Sequence, residues 1–288
     1  MSVTPANDSA IPSLTLGRVV LTVHDLAGVK DFYERAVGLH ALRSDGESAE
    51  LGAGQEVLLE LRVDRAARAR SVGEAGLFHT AFLLPERANL GSWVHHAIER
   101  QIPVSGLADH LVSEAIYLND PEGNGVEIYA DRPRSEWRWT KGEVAMSTAP
   151  LDVNSLVVSG QGRRWTGAPD GTIVGHVHLQ VGALDKAEAF YRDELGFDVT
   201  CHYPGATFYA VDGYHHHVAT NVWNSRGAGR RQLPSTGLAE FEIRMTDERR
   251  SKVKVTRSVE LLAGQGRGEE LVVDDPWGTR IRIIRSLG

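Results

Sequence analysis

Val19-Val20-Leu21-Thr22-Val23-His24-Asp25-Leu26 and, far downstream, Val177-His178-Leu179-Gln180-Val181-Gly182-Ala183-Leu184 are one phrase written twice. Each opens as a short run rich in β-branched residues, which suit a pleated surface. Each then leads into a helical stretch that ends in an aromatic pair and a glycine: Phe32-Tyr33 then Gly38, and Phe190-Tyr191 then Gly196. Leu184, Ala187, Phe190, Tyr191 and Leu195 recur at spacings of three and four, which predicts one apolar face of an amphipathic helix. Short alternating runs follow the first glycine, such as Ala49-Glu50-Leu51 and Val57-Leu58-Leu59-Glu60-Leu61. They read as strands joined by tight glycine-containing turns.

The same order occurs twice more. One copy begins at Gly76-Leu77-Phe78-His79-Thr80-Ala81-Phe82, has a helix over Ala88 to Arg100 and continues through Ala115-Ile116-Tyr117-Leu118. It turns at Asp120-Pro121-Glu122-Gly123-Asn124-Gly125 and closes on Val126-Glu127-Ile128-Tyr129. The other begins at Gly237-Leu238-Ala239-Glu240-Phe241 and ends with Asp275-Pro276-Trp277-Gly278 and a strand from Thr279 to Ile284. In both turns Pro fixes φ and Gly accepts a positive φ. The expected fold is therefore α+β, with four βαβββ units at about 15–65, 76–131, 174–224 and 236–286. An N-terminal domain (1–131) and a C-terminal domain (171–288) are joined by 132–170, which is rich in Pro, Gly, Ser and charge and lacks periodicity. Trp137, Trp139 and Trp165 are expected to order part of that connection.

Composition narrows the function classes. The net charge of -7 comes without any Lys/Arg-rich run, which argues against a nucleic-acid partner. No apolar run approaches the roughly 20 residues of a membrane span. Met1 to Ser13 is polar and does not read as a signal peptide. Cys201 is the only cysteine, so an intrachain disulfide and a thiolate zinc site are both excluded, and a cytoplasmic location is expected. Any metal must be held by His, Asp or Glu. Nothing in the composition fixes the oligomeric state, and a homo-oligomer stays open.

The four-unit pattern resembles the vicinal oxygen chelate superfamily (the glyoxalase/bleomycin resistance/extradiol dioxygenase fold), and within it the two-barrel extradiol ring-cleavage dioxygenases of the catechol 2,3-dioxygenase group. The resemblance implies that pairs of units form open eight-stranded barrels with a metal in the cleft, so four units imply two barrels. It also implies a metal ligand on the first strand of a unit and another on its last strand. The first strands offer Arg18, His79, His176 and Glu240; the last strands offer Glu60, Glu127, about Asn221, and Arg282. Only pairing the second unit with the third brings two His and one Glu, namely His79, His176 and Glu127, into one cleft. The first and fourth units would then form a metal-free barrel. This crossed pairing departs from the sequential pairing of many extradiol enzymes. His178, two residues from His176 and on the same strand face, is the substitute ligand.

Two His and one carboxylate suit non-haem Fe(II), with Mn(II) as a substitute. The resemblance implies a catechol-type substrate and O₂ at the open positions. It further implies a Tyr ten residues before the Glu ligand, which is Tyr117, and a His donor a little earlier, for which His110 is the candidate. The acid-base His falls in Gly213-Tyr214-His215-His216-His217-Val218-Ala219. On a strand His215 and His217 would share one face and His216 the other. The family's pattern points to His216, with His217 as its rival if a bulge at Gly213 shifts the register. Phe78, Phe82, Phe208, Tyr209 and Trp223 are candidate pocket walls. Hydroquinone cleavage, glyoxalase-like isomerisation and a small-molecule binding or resistance role are the competing readings.

Overall fold

The computed structural model describes residues 12–254, 260–264 and 268–286. Met1–Ile11, most of the stretch read above for a signal peptide, lies outside them. The first unit comprises β1 (Leu14–Val23), α1 (Leu26–Phe32), β2 (His40–Ser44), β3 (Ser48–Ala53) and β4 (Glu56–Val63). The second comprises β5 (Gly76–Leu83), α2 (Arg87–Arg100), β6 (Gly106–Asp109), β7 (Ser113–Asn119) and β8 (Gly125–Asp131). The connection carries two short strands, β9 (Trp139–Thr140) and β10 (Glu143–Val144), and the helix α3 (Val153–Ser159). The third unit has β11 (Ile173–Gln180), α4 (Leu184–Glu188), β12 (Asp198–Tyr203), β13 (Ala206–Ala210) and β14 (Val218–Asn221). The fourth has β15 (Gly237–Met245), α5 (Asp247–Arg250), β16 (Glu260–Gly264), β17 (Gly268–Asp274) and β18 (Arg280–Arg285).

Two eight-stranded sheets result, ordered β16-β17-β18-β15-β1-β4-β3-β2 and β12-β13-β14-β11-β5-β8-β7-β6. The second unit pairs with the third and the first with the fourth, as the ligand positions required. Each sheet takes four strands from either side of the 132–170 stretch. The seams are the antiparallel pairs β1 with β15 and β5 with β11. No helix among the described residues is long and apolar enough to cross a membrane.

Helix α4 does not run on to Leu195 as the apolar spacing predicts. It passes at Ala189–Glu194 into a π turn, and α1 does the same at Tyr33–Val37. The wider turn carries Tyr33 and Tyr191 into the core, both fully buried. Gly38 (φ 88°) and Gly196 (φ 78°) follow in the left-handed region, where a side chain would be strained. Beside Trp165, which is partly buried against the core, helix α3 ties the connection down. It packs on α2 where Gly91 meets Gly160: a Cβ on Gly91 would lie 2.3 Å from the Leu156 carbonyl oxygen. Trp137 is buried, whereas Trp139 is exposed.

Candidate metal centre

The β5–β11 seam is irregular beside the candidate ligands. Opposite β11 the register slips between His178/His79 and Leu179/Leu77, which leaves Phe78 as an extra residue on β5. A second slip leaves Gly175 extra on β11, where a Cβ would meet the Tyr129 hydroxyl at 1.9 Å. Bulges of this kind re-aim side chains. Phe78 and its neighbour His79 consequently both line the same cavity. Glu127 on β8 sits opposite Ala81 in the parallel pairing and opposite Tyr117 in the antiparallel one, so β7, β8, β5 and β11 deliver their polar residues to one concave face.

His79 Nε2, His176 Nε2 and Glu127 Oε2 converge there. The two nitrogens are 3.2 Å apart, and the carboxylate oxygen lies 3.0 Å from His79 and 3.1 Å from His176. A divalent ion about 2.1 Å from three mutually cis donors would hold them about 3.0 Å apart. The donor set therefore fits one face of an octahedral ion. Among the described residues it is the one group of His, Cys, Asp or Glu side chains that converges in this way. All three are buried. Burial pushes the His176 imidazole down to about 4, against the pull of Glu127. Burial alone would raise Glu127, but the facing His176 and His79 hold it well below the usual carboxylate range. Two imidazoles and an ionised carboxylate in one buried group suit a divalent cation.

A cavity of about 350 Å³ opens over this group and is also lined by His110, Tyr117, His178 and His216. His110 Nδ1 lies 2.6 Å from the Ser147 carbonyl oxygen, which can only accept, so Nδ1 carries the proton. In neutral His110, Nε2 then accepts from the Tyr117 hydroxyl at 2.6 Å. Burial, with Glu127 adding to it, keeps the Tyr117 phenol well above its ordinary pKa.

His216 stacks 4.0 Å from the His176 ring, centroid to centroid. Its Nδ1 is 2.8 Å from His215 Nδ1, and His215 Nε2 is 2.7 Å from Asp131 Oδ1. The carboxylate accepts from His215 Nε2–H, and the chain Asp131–His215–His216 holds the His216 ring at its Nδ1. Burial, reinforced by His176, holds the His216 imidazole well below its ordinary pKa.

The three consecutive histidines stand not on a strand but in the turn 211–217, with positive φ at Asp212 (56°) and Gly213 (66°). His217 does not line the cavity; it packs on Tyr214 and burial takes its pKa down to about 3. His178 accepts from Asn221 Nδ2 at 3.1 Å and stands outside the converging group. Of the expected walls, Phe78, Phe208 and Trp223 line the cavity. Phe82 and Tyr209 are fully buried core residues on the opposite faces of their strands.

A family model described as "Glyoxalase/Bleomycin resistance protein/Dioxygenase superfamily" matches residues 15–128 and 173–283. The chain belongs to that superfamily. Its sequence is 42% identical over 235 residues to a protein of Bacillus subtilis (strain 168) named catechol-2,3-dioxygenase, covering 79% of this chain and 81% of the relative. Among solved structures, one from Bacillus subtilis subsp. subtilis str. 168 aligns with a TM-score of 0.66 at 13% identity, covering 97% of this chain and 87% of that one. Glyoxalase I from Zea mays aligns with a TM-score of 0.58 at 17% identity, over 95% and 92% of the two chains. At those identities the structures speak for the fold alone.

The superfamily's repeat also explains the other sheet. Where the metal group would stand, Arg18 pairs with Glu60 at 3.0 Å and with Glu242 at 2.9 Å. Arg282 pairs with Glu240 at 3.0 Å and with Glu270 at 2.6 Å. Arg18 occupies a first-strand position, which supplies an imidazole in the second sheet, and Arg282 a last-strand position, which supplies the Glu127 carboxylate there; carboxylates neutralise both guanidinium groups.

Three contributions went unseen in the sequence. Asp131 had a signal, since it shares the strand face of Glu127 at a spacing of four. His215 had one only through its neighbour. Met146, Ser147 and Thr148 of the connection had none, although they wall the cavity.

Proposed function

We propose that this protein is an extradiol dioxygenase, which opens the ring of a catechol-type substrate with O₂ beside the diol and yields a muconic semialdehyde. His79, Glu127 and His176 would hold Fe(II), with Mn(II) as a substitute. The observation that carries the reading is the mutual 3.0–3.2 Å spacing of their three donor atoms. The relative named catechol-2,3-dioxygenase supports it. Iron bound there would supply adjacent coordination positions and electron transfer between substrate and O₂.

The chain's own residues would handle protons and exclude water. His216, kept neutral by burial, is suited to accept a proton from a catechol hydroxyl. Tyr117 and His110 also line the cavity, where a hydroxyl proton can pass between Oη and Nε2 across 2.6 Å. Both oxygen atoms of O₂ enter the product, so no external reductant is required.

The test is to mix Fe(II)-loaded protein with catechol under anaerobic conditions, admit air, and follow the yellow semialdehyde band and O₂ uptake together. One O₂ consumed per catechol, lost in His176→Ala, is the expected result. Metal binding without catechol cleavage would favour a hydroquinone substrate. A glyoxalase-like isomerase is less well supported, since the Asn221 position that could add a fourth ligand is engaged with His178.

A further inference from the structure

We infer that Asp212, fastened by Ser13 and Arg249 of the sheet without the metal group, is a positioning residue for His216. The inference rests on the dioxygenase reading of His216 and goes beyond it, to three residues that lie outside the cavity and touch no substrate.

His216 stands in the turn 211–217, between β13 and β14. Its side chain lines the cavity. Its backbone is held only at a distance. Among the described residues neither His215 nor His216 finds a hydrogen-bond partner for its backbone N–H. The bonds lie on either side: Tyr214 N–H donates to the Val211 carbonyl at 3.1 Å, and His217 N–H to the Tyr209 carbonyl at 2.8 Å. Asp212 (φ 56°) and Gly213 (φ 66°) reverse the chain. Asp tolerates that left-handed region better than most residues, yet such a conformation persists only where the surroundings fix it. Whatever fixes Asp212 therefore sets where the following residues leave the reversal.

The fixing groups come from the other sheet. Ser13, directly before β1, gives the Asp212 carboxylate two hydrogen bonds, N–H to Oδ2 at 2.7 Å and hydroxyl to Oδ1 at 2.9 Å. Arg249 of α5 stands 3.8 Å from Oδ1, and its Nε donates to the Ser13 hydroxyl oxygen at 2.8 Å. Each of the three thus touches the other two, and the Ser13 hydroxyl accepts from the cation while it donates to the anion. Hydrogen bonds to an ionised partner are the strong ones. Arg249 Nη1 also donates to the Gly196 carbonyl at 3.2 Å, which ties α5 to the third unit.

His216 is therefore set between two carboxylates. Asp131 holds its ring from the cavity side through His215. Asp212 holds the turn from outside. Arg134 of the connection adds one contact, from Nη1 to the Asp212 carbonyl at 3.3 Å. Proton transfer requires the imidazole within hydrogen-bond reach of the reacting hydroxyl, so a small displacement of the turn lowers the rate without removing a binding contact.

The experiment measures kcat, KM and metal content of the metal-loaded protein with catechol, and amide hydrogen exchange by mass spectrometry. Asp212→Ala should lower kcat about tenfold at unchanged KM and metal content. Asp212→Asn keeps an oxygen for the Ser13 N–H and accepts positive φ, so it should stay within about threefold of wild type. Arg249→Met leaves the turn's own residues intact and should lower kcat about threefold, with no further loss when it is added to Asp212→Ala. Peptides covering 211–217 should exchange about tenfold faster in Asp212→Ala, while Gly76–Leu83 keeps its wild-type rate. Arg18→Met, elsewhere on the same sheet, is the control and should change neither kcat nor exchange in 211–217.

Wild-type kcat or unchanged exchange in Asp212→Ala would overturn the inference. So would a loss carried by KM, or an equal loss in Asp212→Asn. Should Asp212→Ala fail to fold, Arg249→Met decides by the same readouts. If the wild-type protein cleaves no catechol and exchange in 211–217 responds as expected, the clamp on His216 stands and the dioxygenase reading falls.

Discussion

Tyr191 and Asp275 join the third unit to the fourth, although those units belong to different sheets. The hydroxyl, fully buried on its π turn, donates to Asp275 Oδ2 at 3.3 Å. Asp275 Oδ1 accepts from the backbone N–H groups of Trp277 and Thr279 at 2.9 and 2.8 Å. The first half of the chain repeats the arrangement, with Tyr33 donating to Asp120 at 3.5 Å. Units that are consecutive in sequence are thus stapled at their π turns, while their strands pair across the halves.

Burial lifts Asp275 to about 6, against an unfolded value of about 3.9. Between those pH values the folded state holds the extra proton. Its contribution to stability is therefore greatest below about pH 4 and falls as pH rises through 6. The shift corresponds to about 3 kcal/mol at most. Asp275→Asn keeps an oxygen for both N–H groups and offers an amide to Tyr191. It is expected to flatten this part of the pH profile and to gain on wild type at pH 7.5 relative to pH 4.5 in urea unfolding. An equal slope in the two proteins would refute the assignment.

Metal retention should follow the low pKa of His176. A ligand imidazole held at about 4 stays neutral well below the ordinary histidine range. Mn(II)-loaded protein should keep its ion to about pH 5 and release it toward pH 4, read from the free-ion electron paramagnetic resonance signal. Release centred at pH 6 or higher would contradict this. Glu127→Gln and His176→Ala should each lower the metal content at neutral pH.

Asp131 reaches the cavity only through His215, so its removal should disturb His216 without touching the substrate. Asp131→Asn is expected to lower kcat about 10- to 100-fold while KM changes little. A loss carried by KM would mean that the pair shapes the binding wall instead.

Tyr117→Phe removes the hydroxyl that lies 2.6 Å from His110 Nε2 and leaves the ring in place. It should lower kcat by about 100-fold at unchanged metal content. Wild-type turnover would take Tyr117 out of the proton chemistry.

In the other sheet, Arg18→Met would leave buried Glu242 without its cation, while Glu60 keeps Arg62 at 2.5 Å. A loss of about 2–4 kcal/mol is expected in urea unfolding. Activity per folded molecule should be retained, since Arg18 lies on the sheet without the metal group. Equal loss of activity would show that the two sheets are coupled.

The sequence by itself determined the four units, because hydrophobic period and Asp-Pro–Gly turns are local signals. Read with the ligand positions that the superfamily resemblance implies, it also indicated which units share a sheet: with Arg18 and Arg282 at those positions of the outer units, only the second and third could assemble His79, Glu127 and His176. What followed from contacts distant in sequence was left to the tertiary structure. A turn with positive φ at Asp212 and Gly213 stands where a strand was expected, yet His216 faces the cavity and His215 and His217 do not, the split that alternation predicts. The bulge at Phe78 brought a residue that alternation assigns to the core side into the cavity wall. The connection, which has no period to read, supplied Ser147 to fix the His110 tautomer and Met146 to close the wall. A repeat fixes where a side chain leaves the backbone. Which proton it carries and what it faces depend on neighbours that only the folded chain provides.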